Sequence, residues 1–509
     1  MLKNDKQTMI NDIQEIVKDQ TKTHHQMQRA LAKYAIDLLP YPEGTPDEFY
    51  RLYENLEICD LDEGHGPYSA RYILPDYDKF IANGSHFLQL DPPKTLLETL
   101  NSLLIMYLNI HSLDQFPVFI GRLDVLLEPF VLKEDPIKAK ELLKWFLTTI
   151  DRTIASSFCQ ANIGPQETVT GNIILELLPE LQISIPNMTL RYDPSITPDH
   201  FAQKAIVATL KSANPAFALD HFYQERIGEN YAIASCYNGL LIGGGAYTLT
   251  RLRLNRVAQH STDQKDFFEN VLVNAIKTQL SFMDAKIKSV VEDRAFFKSD
   301  WLVKEELIYR DRFMGLFGIV GLNECVDILM DKEGQSYRYG PDQQANDLGV
   351  KIMKFVEDMV NQHENKYCEA YGNRFVLHAQ VGAANDDDTS PGARIAIGKE
   401  SPLYDHITQA GMFQHFFPSG VGDIFPFDQT AINNPTAVLD IFKGAFNSGV
   451  KYLSTYQSDG DLIRVTGYLV KRSDIEKIKN GEAVINGSVD TALDPIENRG
   501  IYDRKVRSL

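Results

Sequence analysis

The sequence predicts an α/β fold, because short apolar segments alternate with longer amphipathic segments over most of the chain. The short segments have the length and composition of buried strands, whereas the longer ones repeat with the apolar period of a helix. Such alternation is typical of a largely parallel sheet or of a barrel. The predicted strands are residues 182–185, 231–242, 316–322, 375–381 and 450–455, with helices at 264–292 and 346–370 between them.

Three further helices are predicted in the first third of the chain, at residues 9–39, 95–112 and 136–160. In the first of them, apolar residues recur at spacings that place them on one helical face. The last begins at Pro136, a residue type favoured in the first turn of a helix. The N-terminal segment, residues 1–90, is therefore expected to be mainly helical.

Composition and charge argue against several functional classes. The chain has 509 residues, and its 44% hydrophobic content is enough to bury a substantial core. Its 51 Lys and Arg and 69 Asp and Glu residues give a net charge of −18, which argues against binding to nucleic acid or anionic membranes. Residues 1–8 lack the apolar core of a signal peptide, and no run reaches the ~18 apolar residues of a membrane span. We therefore expect a soluble cytoplasmic protein.

The five cysteines are too few and too widely spaced for a disulfide framework or a four-cysteine zinc site. They are Cys59, Cys159, Cys236, Cys325 and Cys368. None belongs to a Cys-x-x-Cys pair, and the odd count suits a reducing compartment. No metal site is predicted.

Gly467 lies in an apolar, strand-like segment near the C-terminus, residues 462–470. A glycine in such a segment often marks a bulge or a close approach of two backbones. The local sequence at residues 464–468, Arg-Val-Thr-Gly-Tyr, also resembles the signature of glycyl radical enzymes. In those enzymes the glycine Cα stores an unpaired electron and flattens. Glycine tolerates this geometry because it has no side chain to clash in the planar form.

A cysteine ends another apolar run, at Cys236 in residues 231–245, just before a polar turn that contains glycine. Most buried cysteines are inert small hydrophobes. Glycyl radical enzymes, however, place such a cysteine opposite the radical loop, where its thiol gives a hydrogen atom to the stored radical. An apolar site helps, because it keeps the thiol protonated. The glycines at 243–245 lack a nucleotide-binding pattern and are interpreted as close backbone packing.

Three more segments resemble this superfamily. Residues 315–325 resemble the G-L-N-E segment of anaerobic ribonucleotide reductases, although a buried strand followed by a helix capped by Asn323 would look the same. Residues 121–124, Gly-Arg-Leu-Asp, followed by Pro129, resemble a segment of the formate-lyase and diol-dehydratase branch, or else form a surface turn. Residues 185–191 match a strand-end P-N-x-[ST] segment. With the cysteine and glycine loops, the five motifs occur in the family's order, and the closest resemblance is to the YjjI-type branch.

The resemblance implies a ten-stranded α/β barrel of two antiparallel five-strand halves wrapped by helices, with the Cys236 and Gly467 loops meeting inside. Residues 91–450 would form the barrel core with the cysteine loop, and residues 451–509 the glycyl radical domain. The implied activity is hydrogen abstraction by a Cys236 thiyl radical from an unknown small polar metabolite. The reaction would be of the lyase or dehydratase class or related radical chemistry.

The resemblance also implies partners and a pocket. No cofactor would be bound, since a separate S-adenosylmethionine and iron–sulfur activase would install the radical at Gly467 after translation, under anaerobic conditions. The other implied partners are the small-molecule substrate and a second copy of the chain in a homodimer, with neither nucleic acid nor a membrane. The predicted substrate-binding residues are Tyr237, Asn238, Asn323 and Glu324, and Arg394 is a further candidate for the pocket.

Two departures from known branches bear on the chemistry. Ser235 stands where pyruvate formate-lyase has a second cysteine, which argues against acyl transfer through two thiols. Asn238 stands where dehydratases and decarboxylating members carry a glutamate, and an amide cannot act as a base. Glu324 is the nearest alternative by motif, although it could equally interact with the start of its own helix.

Two other functions stay open. The first is an anaerobic ribonucleotide reductase-like enzyme, although neither a C-terminal four-cysteine zinc module nor an N-terminal nucleotide-sensing domain is visible. The second is a non-catalytic protein that retains the glycyl radical fold. The presence of both Cys236 and Gly467 argues against this second possibility.

Overall fold

The computed structural model of the protein describes residues 6–61, 63–110, 116–379, 388–457, 459–498 and 500–509. The helices are α1 (Lys6–Lys18), α2 (His24–Asp37), α3 (Asp47–Glu54), α4 (Tyr77–Asn83), α5 (Leu96–Leu108), α6 (Leu123–Val131), α7 (Pro136–Thr153), α8 (Val169–Leu181), α9 (Asp199–Ser212), α10 (Asp220–Ile227), α11 (Leu254–His260), α12 (Gln264–Asp266), α13 (Leu272–Lys288), α14 (Phe296–Ser299), α15 (Trp301–Lys304), α16 (Leu322–Lys332), α17 (Gln343–Gln362), α18 (Leu403–Gln414), α19 (Pro435–Asn447), α20 (Arg472–Lys479) and α21 (Ser488–Asn498). Every helix within these ranges falls short of the length or apolar character needed to cross a membrane.

The strands are short, and most are buried along their whole length. They are β1 (Ile58–Cys59), β2 (Tyr72–Leu74), β3 (Phe119–Arg122), β4 (Gln160–Ile163), β5 (Asn187–Tyr192), β6 (Ala216–Leu219), β7 (Tyr231–Ala234), β8 (Asn238–Leu241), β9 (Gly244–Arg253), β10 (Phe313–Val320), β11 (Val376–Ala379), β12 (Asp423–Ile424), β13 (Tyr452–Ser454), β14 (Leu462–Arg464) and β15 (Leu469–Lys471). The α/β class predicted from the sequence is confirmed.

Helix ends follow local capping chemistry, which corrects one prediction. The single helix predicted at 9–39 is wrong, because the segment forms two helices, α1 and α2. Thr23 starts the second one with a capping box, in which its hydroxyl accepts from the Gln26 N–H and the Gln26 side chain accepts in return. The helix predicted at 136–160 begins at Pro136 as expected but ends at Thr153, since the chain enters β4 at Gln160.

A six-stranded sheet has the strand order β12-β13-β6-β5-β4-β3. β3 to β6 run parallel to one another, β13 is antiparallel to β6, and β12 is parallel to β13. The strand predicted at 182–185 is wrong, because β5 starts only at Asn187. The N–H groups of Ser184 and Ile185 donate to the Asp151 carboxylate instead of to a ladder, and Pro186 has no N–H to donate.

A five-stranded sheet is built on the long strand β9, which pairs with β1, β2 and β10, while β11 pairs with β10. β9, β10 and β11 run parallel, whereas β1 and β2 are antiparallel to β9. At the start of β9, an ideal Cβ on Gly244 would lie 2.2 Å from the Arg312 carbonyl oxygen, and one on Gly245 would lie 1.9 Å from that of Tyr72. Gly244 and Gly245 thus pack closely against backbone, as predicted, but against that of Arg312 and Tyr72 rather than under the cysteine loop, and Gly243 meets only the side chains of Arg312 and Tyr309.

Two hairpins complete the described strands: β7 pairs with β8, and β14 with β15. Within the described residues, the ladders form these two hairpins and the two sheets, so the closed ten-stranded barrel stays a prediction. Residues 1–90 supply β1 and β2 to the five-stranded sheet, and β13 joins the six-stranded sheet just after residue 450. Of the strand predicted at 375–381, residues 380 and 381 lie outside the described residues.

Candidate functional site

The three residues 235–237 join β7 to β8 and carry Cys236 in an unusual backbone conformation. Ser235 and Cys236 have φ of 42° and 80°, a region that side chains other than glycine rarely adopt. Each such residue costs on the order of 1–3 kcal/mol and persists only where its surroundings hold it. Here the Asn238 amide donates to the carbonyl oxygens of Ala234 and Ser235, and the Tyr452 hydroxyl donates to that of Cys236 over 3.1 Å.

Gly467 lies in the four-residue turn between β14 and β15, closed by a 3.1 Å hydrogen bond from the Val465 N–H to the Tyr468 carbonyl. The carbonyl oxygen of Gly467 accepts from the Asn187 amide at 2.5 Å and from Arg464 at 3.4 Å. Arg504, from the C-terminal tail, donates to the carbonyls of Arg464 and Val465. This turn, residues 465–468, is called the glycine loop below. It is thus held by Asn187 of β5 on one side and by Arg504 of the C-terminal segment on the other.

The two loops meet in the interior. An ideal Cβ built on Gly467 would lie 2.3 Å from the Cys236 Cβ and 2.9 Å from its Sγ. Since a carbon–carbon bond is about 1.5 Å long, the Gly467 Cα lies within about 4.4 Å of the sulfur. One Cα hydrogen of the glycine therefore points at the cysteine side chain. The φ of Gly467 lies outside the left-handed region, so the position requires glycine for space rather than for φ.

Burial keeps the Cys236 thiol protonated. The side chain is 3% exposed, and burial raises its pKa to about 12, although Arg464 and Arg394 oppose that shift. A thiol with this pKa carries its hydrogen at any physiological pH. It is therefore suited to give a hydrogen atom rather than to act as a thiolate nucleophile.

Arg464 is fully buried, and its hydrogen bonds go to carbonyl and amide oxygens. Its Nε donates to the Ala213 carbonyl at 2.9 Å and its Nη2 to the Asn187 side-chain oxygen at 3.2 Å. Burial lowers the pKa of this guanidinium, while Tyr452 and Cys236 favour its charge. Arg464 thus ties the glycine loop to β5 and places a positive charge beside the thiol.

Tyr237 follows the cysteine and forms a wall of the same site. Its hydroxyl donates to the Ala379 carbonyl at 2.8 Å, and its ring lies 5.6 Å from that of Tyr452. An ideal Cβ on Gly420 would lie 2.2 Å from the Tyr237 carbonyl oxygen, so the chain before β12 packs directly on this loop. The Arg394 guanidinium lies 5.9 Å from the centre of the Tyr237 ring. Tyr237, the residue next to Cys236, thus lies between the cysteine and the side of the site where Arg394 is found.

Asn323 and Glu324 have other contacts. Gly321, with a φ of 75°, occupies the N-cap of α16, so the interpretation of Asn323 as the cap is wrong. The Asn323 side-chain oxygen accepts from the Ala396 N–H at 2.8 Å. The two Glu324 oxygens accept from the N–H and the hydroxyl of Ser390. Both side chains thus hold residues 390–396, and neither contacts Cys236 or Gly467 through these bonds.

The predicted residues thus fall into two groups. Cys236, Gly467, Tyr237 and Asn238 meet at the junction of the two loops, whereas Asn323 and Glu324 brace the segment that carries Arg394. Sequence reasoning missed Tyr452 and Arg504, which bind the cysteine and glycine loops. Tyr452 lies in the predicted strand 450–455, but nothing in the local sequence marks its hydroxyl. Within the described residues, no group of three or more His, Cys, Asp or Glu side chains is arranged to hold a metal ion.

The half-buried Glu324 side chain gives a prediction about how stability depends on pH. Burial raises its pKa, and the Ser390 hydrogen bonds only partly oppose this. Between the unfolded pKa of about 4.3 and the raised folded value, the native state binds more protons than the unfolded state. Glu324 therefore makes the free energy of unfolding fall as pH rises, and Glu324→Gln should remove this part of the slope.

Denaturant unfolding of both proteins from pH 4 upward measures the difference between their unfolding free energies. Other buried acids titrate in both proteins, for example Asp124, whose pKa is raised to about 6 by burial. Their contributions therefore cancel in the difference between the two unfolding free energies. We expect the difference to shift in favour of Glu324→Gln as pH rises. Parallel pH profiles for the two proteins would contradict the effect of burial on Glu324.

Comparison with known proteins identifies the family. The family model described as glycyl radical enzyme YjjI-like matches residues 22–507. A protein of Haemophilus influenzae is 43% identical over 503 residues, covering 98% of each chain. The protein YjjI of Escherichia coli K12 is 37% identical over 469 residues, covering 92% of this chain and 90% of the relative.

The fold is shared with distant solved structures. The crystal structure of hydroxyproline dehydratase from Clostridioides difficile matches with a TM-score of 0.65 at 13% identity. The match covers 98% of this chain and 89% of the dehydratase. At this identity the likeness concerns the fold alone. With the family model and the two relatives, it leads to one conclusion: the chain belongs to the YjjI-like family of glycyl radical enzymes.

Proposed function

We propose that Gly467 stores an unpaired electron and that Cys236 passes it to a small polar metabolite. The S–H bond of Cys236 breaks and a C–H bond forms at Gly467, which leaves a thiyl radical. The thiyl radical then takes a hydrogen atom from the substrate, so the S–H bond re-forms and the substrate becomes the radical. The observation that carries this proposal is the position of the Gly467 Cα against Cys236 Sγ.

The surroundings of the pair support radical chemistry on a polar molecule. Cys236 and Gly467 are both buried, which keeps water and oxidants from reactive intermediates. Several buried polar atoms near the two loops have no hydrogen-bond partner among the described residues. They are Asn238 Oδ1, Ser419 Oγ and Thr466 Oγ1. Buried polar atoms normally find partners, so these three are consistent with a polar ligand.

The two sheets also fit the proposed barrel. β13 is antiparallel to β6, and β9 is antiparallel to β2. These two pairs are the places where the two halves of the barrel would meet, and in each pair the strands run in opposite directions. An isolated parallel bridge between His378 and Gly420 links β11 to the chain that leads into β12, and β2 lies against β3. We propose that β2 to β6 form one half of the barrel and that β9 to β13 form the other half. The closed barrel would enclose the β7–β8 and β14–β15 hairpins.

The proposal includes a separate radical S-adenosylmethionine activase. Gly467 is buried and its carbonyl is bound by Asn187 and Arg464. An activase that takes a hydrogen atom from the Gly467 Cα must therefore displace the β14–β15 hairpin from Cys236. The hydrogen bond from the Asn187 amide of β5 to the Gly467 carbonyl would break in that step.

Exposure of the activated protein to air should cut the chain at Gly467. A backbone radical traps dioxygen and fragments, so the C-terminal product should span about residues 468–509. The measurement is mass spectrometry of protein activated anaerobically and then exposed to air.

Two controls define this experiment: wild-type protein that was never activated and Gly467→Ala protein taken through activation. Both should stay intact in air. Cleavage at another residue, or an intact chain despite a proven organic radical, would contradict storage of the radical at Gly467.

A further inference from the structure

Building on the proposed function, we propose that the substrate of Cys236 carries a carboxylate group and that the Arg394 guanidinium binds it. This defines the class of metabolite as a small organic acid. It also assigns Arg394 a substrate-binding role that neither loop supplies.

The Arg394 side chain is buried but incompletely bonded. It is 9% exposed, and within the described residues its one hydrogen bond runs from Nε to the Gly422 carbonyl. The two terminal nitrogens, Nη1 and Nη2, are left with donor hydrogens. A guanidinium whose Nε is fixed in this way presents its planar end, which matches the two oxygens of a carboxylate.

Arg394 borders the space that a substrate of Cys236 would occupy. Its Cζ is 5.9 Å from the centre of the Tyr237 ring, and Tyr237 is the residue next to Cys236. The charge of Arg394 acts on the Cys236 thiol together with that of Arg464. A small molecule bound to the terminal nitrogens of Arg394 would therefore be close to the thiol.

The charges around the thiol favour an anion. Those that act on Cys236 are the cations Arg464 and Arg394. Asp423 also faces Arg394, but its carboxylate is bound by His406 Nε2 at 3.0 Å, and Arg507 lies 3.0 Å from the other nitrogen of that imidazole. In a low-dielectric interior, a charge without a close counter-ion is unfavourable. A substrate carboxylate would accept from the terminal nitrogens of Arg394, which Asp423 does not do within the described residues.

The start of α16 positions Arg394. Glu324 accepts two hydrogen bonds from Ser390, and Asn323 accepts one from the Ala396 N–H. The backbone adds a bond from the Gly321 N–H to the Ser390 carbonyl at 2.9 Å. These bonds hold the chain on both sides of Arg394. The G-L-N-E segment therefore acts through Arg394, as a positioning element rather than as a base.

Ligand binding to the unactivated protein tests this proposal without any radical. The probes are glycolate, lactate and glycerate, each compared by calorimetry with its neutral amide. At least one carboxylate should bind about ten-fold or more tightly than its amide, since a charge-assisted hydrogen bond is worth about 1.5–3 kcal/mol. Arg394→Gln should abolish that preference. Arg338→Gln, at an exposed arginine paired with Asp331, should keep it.

Three further outcomes decide the proposal. Arg394→Lys keeps the charge without the planar fork and should retain only part of the preference, which covers the case in which Arg394→Gln does not fold. General damage to the fold would weaken acid and amide binding alike, whereas loss of the anchor weakens only the acid. The proposal is overturned if no carboxylate outbinds its amide, if the preference survives in Arg394→Gln, or if glycerol phosphate outbinds all three acids.

Failure of this inference is separable from failure of the proposed function. Arg394 does not bond the glycine loop in the described residues, so activated Arg394→Gln should still show the organic radical at Gly467. A radical without a carboxylate preference would remove the substrate class alone. A carboxylate preference without any radical would remove the proposed function alone.

Discussion

Gly467→Ala protein should show no organic radical after anaerobic activation. The new methyl group would lie 2.3 Å from the Cys236 Cβ and 2.9 Å from its Sγ, so the two loops cannot keep their positions. It would also crowd the planar form of the Cα that a radical requires. The electron paramagnetic resonance signal, expected as a doublet in the wild type, should fall to the background. Overpacking should destabilise the native state by about 1–3 kcal/mol in denaturant unfolding.

Gly460→Ala is the matched control for this change. It introduces the same methyl group seven residues earlier, where the nearest atom to an ideal Cβ is 3.5 Å away, and its φ lies outside the left-handed region. This variant should activate like the wild type. An undiminished signal in Gly467→Ala would refute storage of the radical at that residue, and loss of the signal in Gly460→Ala would show that the test reports general damage.

The pairing of Cys236 with Gly467 was predictable only through family motifs. The two residues lie far apart in the sequence, and each alone has a common structural explanation, a buried cysteine or a glycine packed against a backbone. Their contact arises when β7–β8 and β14–β15 meet, and no local pattern encodes that meeting. Asn187 was within a quoted motif, but its bond to the Gly467 carbonyl follows from the position of β5 in the sheet.

Residues that hold the loops were harder to predict than the loops. Tyr452 binds the Cys236 carbonyl from β13, and Arg504 binds the glycine loop from a short polar tail. Tyrosine and arginine at such positions look like core and surface residues in a sequence. Their hydrogen bonds go to backbone carbonyl oxygens. Since every residue type has one, the identity of the partner residue does not indicate the bond.

The α/β class was predictable because alternating apolar segments reflect burial, whereas strand limits depend on partners. The predicted strand 182–185 alternates polar and apolar residues, yet Asp151 accepts from the N–H groups of Ser184 and Ile185, and the ladder starts at Asn187. β12 has two residues and is a strand only because β13 lies beside it. The same dependence applies to Glu324, for which the motif left open a base or a contact with its own helix, and whose carboxylate accepts hydrogen bonds from Ser390.

Cys236→Ser protein should accept the radical at Gly467 but convert no substrate. The hydroxyl of serine occupies nearly the same space, so the glycine loop keeps its place, but an O–H hydrogen is much harder to abstract than that of a thiol. The substrate is unidentified, so activated wild-type and variant proteins are incubated anaerobically with the small-molecule fraction of a cell extract. Mass spectrometry should show a metabolite that only the wild type consumes, while both proteins show the Gly467 radical signal.

Cys59→Ser, the same change at a half-buried cysteine that pairs β1 with β9, should consume this metabolite at the wild-type rate. Conversion of the metabolite by Cys236→Ser would refute the thiyl role. Loss of the radical signal in Cys236→Ser would show instead that the thiol is needed to form or keep the glycine radical. Cys236 is the buried thiol that lies against the Gly467 Cα. We therefore expect the substitution at Cys236, and not the one at Cys59, to abolish substrate conversion while the radical is kept.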